Sequence, residues 1–359
     1  MMRRRLILLA VVVLAASLTG LMVEPAVRAG RDRLPARLTD QEFWGLVSEF
    51  SEPGGSFRSD NLLSNERELQ VVLPALAPSA GPGRVYLGVG PEQNFTYIAA
   101  LRPAMAFIVD VRRGNLNLHL MYKALFELSA DRAAFVSRLF SRKRPEPLDP
   151  GATAADLLTA IAAAEPSDAL FQQNLEAITA QLATTHGFAL ARDDLEWIQY
   201  VLRAFFTHGP AITYASTGSF GGRSQPTYAE LMIATDADGR ARIYLASEDR
   251  FLVVRDLHRR NLLVPVVGNF AGEKAIRAVA RYLRERDARV AAFYLSNVEQ
   301  YLQRAGLWPQ FCANASTLPV DAASLFIRAV RRGREWPGWG LSTEVAKIAP
   351  EVEACVAAY

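Results

Sequence analysis

Sulfur and imidazole are scarce in this chain. Its 359 residues include 2 cysteines and 4 histidines. His119, His186, His208 and His258 are scattered, and no Cys or His cluster has metal-ligand spacing, which argues against zinc or any other bound metal. Cys312 and Cys355 both fall near the C-terminus, where they read either as one disulfide stapling the tail or as two buried thiols. Excess charge is lacking too. A net charge of +3, with the arginines dispersed, is too small to imply a nucleic-acid partner, and none is expected. No Gly-x-Ser-x-Gly occurs, so a hydrolase reading rests only on the polar stretch 213–225. What remains is ordinary: 50% hydrophobic and 21% charged residues supply a core for one large domain or two.

One long apolar run is present. Arg3-Arg4-Arg5 precedes Leu6 to Val23, and Val27 and Ala29 follow at signal-peptidase spacing. Residues 1–29 therefore read as a signal peptide cleaved after Ala29. The close alternative is an uncleaved anchor, since the run is just long enough to span a bilayer. Either reading makes the protein exported, periplasmic or membrane-anchored, with any membrane association running through this segment.

The most informative feature is a layout. Arg84 to Leu87 reads as a buried strand leading into Gly88-Val89-Gly90-Pro91-Glu92-Gln93-Asn94. A helix-length stretch follows, and a second strand, Met105 to Val109, ends on Asp110. Gly88 and Gly90 permit a sharp turn and close ligand approach. The following helix aims its unpaired amides at that turn. Asp110 lies roughly 20 residues on, where nucleotide-binding units place the carboxylate that holds a ribose. The pattern points to a nucleoside-bearing small molecule. A strand-to-helix turn with an Asp cap is the purely structural alternative. Gln93 stands where the dinucleotide fingerprint needs a third glycine, which argues against NAD.

Residues 51–61 are dense in turn formers and polar groups around Phe57, and read as a pocket wall over the glycine turn or as an exposed loop. Asn65 to Ala77 reads as a helix. Leu116 to Leu128 is an amphipathic helix, with His119 a helix-face residue. Residues 129–210 form an all-helical insertion. The α/β rhythm resumes with strands over 241–246, 262–267 and 290–295. These end on Ser247-Glu248-Asp249, Gly268-Asn269 and Ser296-Asn297. Strands alternating with helices imply a Rossmann-like, mostly parallel sheet with helices on both faces, extending from residue 30 to 359. The tail from Trp308 reads as loops and short helices.

This order resembles class I S-adenosylmethionine-dependent methyltransferases over residues 84–125 and 241–303. Gly-Val-Gly-Pro-Glu-Gln-Asn-Phe and Ser-Asn-Val-Glu-Gln-Tyr also resemble phrases of an uncharacterised bacterial family with this fold. The resemblance implies S-adenosylmethionine as cofactor. Gly88 and Gly90 would lie along its methionine part, Glu92 and Asn94 would also be cofactor-binding, and Asp110 would hold the ribose. Glu248 or Asp249 would lie near the adenine, and Asn269 on the substrate side. Methyl transfer to a small molecule or envelope component is the implied reaction, with Tyr214, Tyr301, Glu299 and His208 as candidate bases. The sequence departs from that pattern at Glu92, which replaces a third glycine, and lacks Asn/Asp-Pro-Pro-Tyr. The alternative is a non-catalytic exported protein that binds a ligand on the same fold.

Overall fold

A computed structural model describes residues 33–145, 151–217, 225–331 and 341–358. The expected leader over residues 1–29 and part of the polar stretch 213–225 lie outside the described residues.

Six strands build one sheet: β1 (Arg84–Gly88), β2 (Met105–Asp110), β3 (Leu263–Val267), β4 (Arg289–Ser296), β5 (Leu325–Arg331) and β6 (Leu341–Lys347). Their spatial order is β3-β2-β1-β4-β5-β6. All neighbours run parallel except the last pair, β5 and β6. Every residue of β2 and β3 is buried, as befits parallel strands covered on both faces. The fold is therefore the expected Rossmann-like α/β sheet. Its strand order reverses between β1 and β4, and in open α/β sheets the crevice beyond that reversal is where ligands bind.

Helix α1 (Asp40–Phe50) begins at a Thr39–Glu42 capping box and packs on β3. Helix α2 (Gln93–Leu101) joins β1 to β2, and α3 (Arg113–Leu128) leaves the tip of β2. Between β2 and β3 no strand forms among the described residues: after α3 come the α-helices α4 (Arg132–Phe140), α5 (Ala154–Ala163), α6 (Asp168–Thr179), α7 (Arg192–His208), α8 (Tyr228–Ile233) and α9 (Glu248–Arg259). Helix α10 (Ala275–Glu285) returns to β4. Helices α11 (Val298–Arg304) and α12 (Trp308–Ala315) then lead to β5, and α13 (Ile348–Ala357) ends the chain. Cys312 of α12 and Cys355 of α13 are joined in a disulfide.

Three expectations fail. Ala241 to Ala246 is not a strand but a set of turns before α9. Its backbone donors go to side chains and local carbonyls: Arg242 N to Gln70 Oε1, Tyr244 N to Thr96 Oγ1, and Ala246 N to the Ile243 carbonyl. A short apolar run without alternation does not distinguish a strand from a buried turn. Asn65 to Ala77 is not an α-helix either. Turns lead into a 3-10 helix over Leu73–Ser79, where Pro74 and Pro78 remove two amide donors. The tail, finally, contributes two strands, β5 and β6, that complete the sheet.

Candidate functional site

The tips of β1, β2 and β3 share one rim. Asn94 fixes the glycine turn there. Its Nδ2 donates to the carbonyls of Val89, Gly90 and Pro91 at 2.9, 3.2 and 2.6 Å, and its Oδ1 accepts from the Tyr86 hydroxyl at 2.8 Å. A Cβ on Gly88 would lie 2.0 Å from Asn94 Oδ1, so that glycine makes room for the protein's own side chain. Gly90 has φ +75°, where glycine is favoured. Asn94, expected to contact a ligand, is thus engaged from within: its Nδ2 holds the turn and its Oδ1 takes the Tyr86 hydroxyl of β1.

Asp110 sits at the tip of β2 as expected, but its carboxylate is engaged. Arg112 grips it through both oxygens: Nε donates to Oδ1 at 3.0 Å, Nη2 to Oδ2 at 2.9 Å, and the Arg112 amide adds a bond to Oδ1 at 2.9 Å. The same guanidinium reaches the Asp60 carbonyl through Nη1. Arg112 therefore ties Asp110 to the 51–61 segment. That segment runs along the rim as a strap. Glu52 N bonds the Val267 carbonyl at 2.9 Å, and Gly55 N bonds the Val111 carbonyl at 2.7 Å. Phe57 meets Tyr301 of α11 edge to face at 5.3 Å, and Arg58 donates to the Tyr301 hydroxyl at 3.3 Å. The segment is anchored along the rim, with residues 53–56 and Arg58 exposed.

Beneath the rim, polar groups are buried with open valences. Glu92 is fully buried; Oε1 accepts from Ser64 N at 3.2 Å and Oε2 has no partner. Burial pushes its carboxyl up to about 7, against the lowering effect of the Ser64 amide and its own. His119 faces the turn rather than solvent, with Nε2 at 2.8 Å from the Gly90 carbonyl. That nitrogen must carry the proton, which leaves the unpartnered Nδ1 as a bare acceptor. Burial drives His119 down to about 4 despite the Gly90 carbonyl and Asp110, so the ring is neutral. Gln93 donates through Nε2 to the Tyr294 hydroxyl at 3.0 Å, while its Oε1 has no partner. Across the switch point, Glu66 accepts from the Tyr294 hydroxyl at 2.5 Å and from Ser296 Oγ at 2.6 Å, both at Oε1. Burial raises the Glu66 carboxyl as well, opposed by those two hydroxyls.

Glu248 and Asp249 do not belong to this site. They open α9 and pair with Arg132 and Arg102. Those arginines lie just past the C-termini of α3 and α2, both of which start at the rim. Sixteen and nine helical residues put them roughly 24 and 14 Å away along the helix axes. The adenine assignment of Glu248 and Asp249 is therefore corrected; it depended on a strand at 241–246 that does not form. Asn269 does reach the rim at the end of β3, yet its Oδ1 accepts from Ala271 N at 2.9 Å. Its amide and those of Lys274 and Ala275 bond the strap's Glu52 at 3.3, 3.0 and 2.8 Å. The N-terminus of α10 thus already holds a carboxylate.

Spacing alone does not mark Arg112, Glu66 or Tyr294 as site residues, Gln93 enters only as a missing glycine, and His119 reads as a helix-face residue. Arg112 carried a signal, two residues past a strand-tip acid. Glu66 carried none, lying in a segment read as ordinary helix. Among the described residues no three His, Cys, Asp or Glu cluster as metal ligands.

Two stretches, 62–197 and 213–348, match the family model described as Domain of unknown function (DUF7790). The chain belongs to that family. The DUF7790 match takes in Glu66, the glycine turn, Asp110, His119 and Ser296, and begins just after the strap. No curated protein matches the chain.

Proposed function

We propose that the chain binds a nucleoside-bearing small molecule at the switch point between β1 and β4, with the strap as the wall of its site. One observation carries this reading: the glycine turn and the Asp110 tip sit above buried polar atoms with no partner, the acceptors Gln93 Oε1 and His119 Nδ1 and the carboxyl oxygen Glu92 Oε2. Acceptors left open in a protein interior are costly, and a ligand rich in hydroxyl and amino donors relieves that cost. Nucleosides carry such donors on ribose and base.

Methyl transfer from S-adenosylmethionine is the second reading. It is favoured by the strand order, with a Gly-x-Gly turn after β1 and an acid at the tip of β2. The residues at the ribose position do not hold that cofactor as they stand, and the same is true of any nucleoside: Arg112 takes two bonds at Asp110 Oδ1 and one at Oδ2, so a ribose diol has to displace it. Two of the bases considered are also engaged, Glu299 with Arg328 at 3.1 Å and the Tyr301 hydroxyl with Arg58. No transfer step follows from this arrangement, and binding is the stronger reading. Export by the N-terminal apolar run is part of the same proposal. Calorimetric titration with adenosine and with S-adenosylmethionine tests the binding claim. Micromolar binding of either supports it, and absence of heat with both at millimolar concentration removes it.

A further inference from the structure

Ser296 closes β4 in an unusual backbone state. It has φ +50°, a left-handed region that serine rarely adopts. The pairing of β4 with β5 shifts register between Tyr294 and Ser296, and α11 begins two residues later. A serine held at positive φ in a sharp strand-to-helix turn, at the tip of a central parallel strand, is the backbone device that presents a nucleophilic hydroxyl in hydrolases. It stands here without the glycines that usually mark it in sequence. The second observation is independent of the backbone. Ser296 Oγ donates at 2.6 Å to Oε1 of Glu66, a carboxyl 1% exposed whose other oxygen has no partner. Tyr294, itself held by Gln93, donates to the same oxygen and fixes that carboxyl in place. Ser296 is only partly buried, whereas its partner is fully enclosed.

We propose that Ser296 is a nucleophile toward carboxylic esters and that Glu66 is its general base. In the first half, Ser296 Oγ bonds to the ester carbonyl carbon, its proton passes to Glu66, and the carbonyl π pair moves onto oxygen. Collapse of that adduct breaks the carbon–oxygen bond to the leaving alcohol, which departs with the proton from Glu66. Water then repeats the sequence on the acyl-serine, giving the free acid and restoring both side chains. Glu66 is suited to the role because burial raises its affinity for a proton toward the working pH.

The test needs no nucleoside, so its outcome is separable from that of the binding proposal. The full chain is incubated with a fluorophosphonate probe, and labelled peptides are identified by mass spectrometry. The expected result is a single phosphonylated site at Ser296. Labelling is lost in Ser296→Ala and slowed at least tenfold in Glu66→Gln, with both variants folded by circular dichroism. Should Ser296→Ala fail to fold, Ser296→Gly suits the positive φ and gives the same readout. A folded wild-type protein that takes up no probe, or takes it up only at another residue, overturns the proposal. So does a Glu66→Gln variant labelled at the wild-type rate.

Discussion

At the residue scale, the glycine turn is a packing device before it is a ligand site. A methyl group on Gly88 would overlap Asn94 Oδ1 and crowd the Tyr86 ring. Gly88→Ala is expected to destabilise the protein by about 1–3 kcal/mol, the usual penalty of overpacking, read from urea unfolding. An unchanged midpoint would mean that the turn yields. Glu92 makes a pH-dependent contribution. Its folded pKa, about 7, exceeds the ordinary 4.5, so the folded state holds a proton that the unfolded chain has released. The stability this gives is full below about 4.5 and lost as pH rises through about 7, roughly 3 kcal/mol in all. Glu92→Gln should flatten the pH dependence of the melting temperature between pH 5 and 8, and a profile as steep as wild type would refute the assignment. Gly88, Gly90 and Asp110 were legible because backbone freedom and strand-tip acids leave marks in sequence. Their true partners were not, because Asn94 and Arg112 act through side-chain geometry that spacing does not specify.

At the element scale, the strap is the main addition to what periodicity could give. It crosses the tips of β3, β2 and β1, held by Glu52 on α10, by Arg112 at Asp60, and by Phe57 on α11. Lysine keeps charge but cannot fork between a carboxylate and a carbonyl. Arg112→Lys should therefore preserve the fold and loosen the strap, raising the rate of tryptic cleavage after the exposed Arg58 severalfold. Equal cleavage rates would show that Arg112 does not tie the strap down. The long elements were readable from pattern, β2 and β3 as apolar runs and α3 as a helix, although Asn115 to Phe126 are buried on every side and α3 is not amphipathic as expected. The turns at 241–246 resembled a strand because burial, not pairing, set their composition. The strands β5 and β6 were missed because Trp336-Pro337-Gly338-Trp339-Gly340 marks the tail as loop, although Leu325-Phe326-Ile327 is an apolar run.

At the scale of the whole molecule, a parallel sheet with an antiparallel edge carries a helical insertion between β2 and β3, and a disulfide fastens α12 to α13 beside the far edge. That bond closes a loop of 43 residues. Its reduction should cost about 2–4 kcal/mol and lower the melting temperature, and a melting temperature unmoved by reductant would contradict a stabilising role. The architecture gathers the tips of β1, β2, β3 and β4 on one rim. The functional reading depends on Asp110 receiving a ribose there in place of Arg112. An Asp110→Ala change would leave the buried Arg112 guanidinium without its carboxylate, a loss of about 3–5 kcal/mol, so Asp110→Asn is the cleaner probe. The most direct measurement is calorimetric titration of wild-type and Asp110→Asn protein with adenosine and S-adenosylmethionine. Micromolar binding of at least one of them, about 8 kcal/mol, is expected, weakened at least tenfold in Asp110→Asn. No binding of either by folded wild-type protein, or equal binding by both proteins, would contradict it.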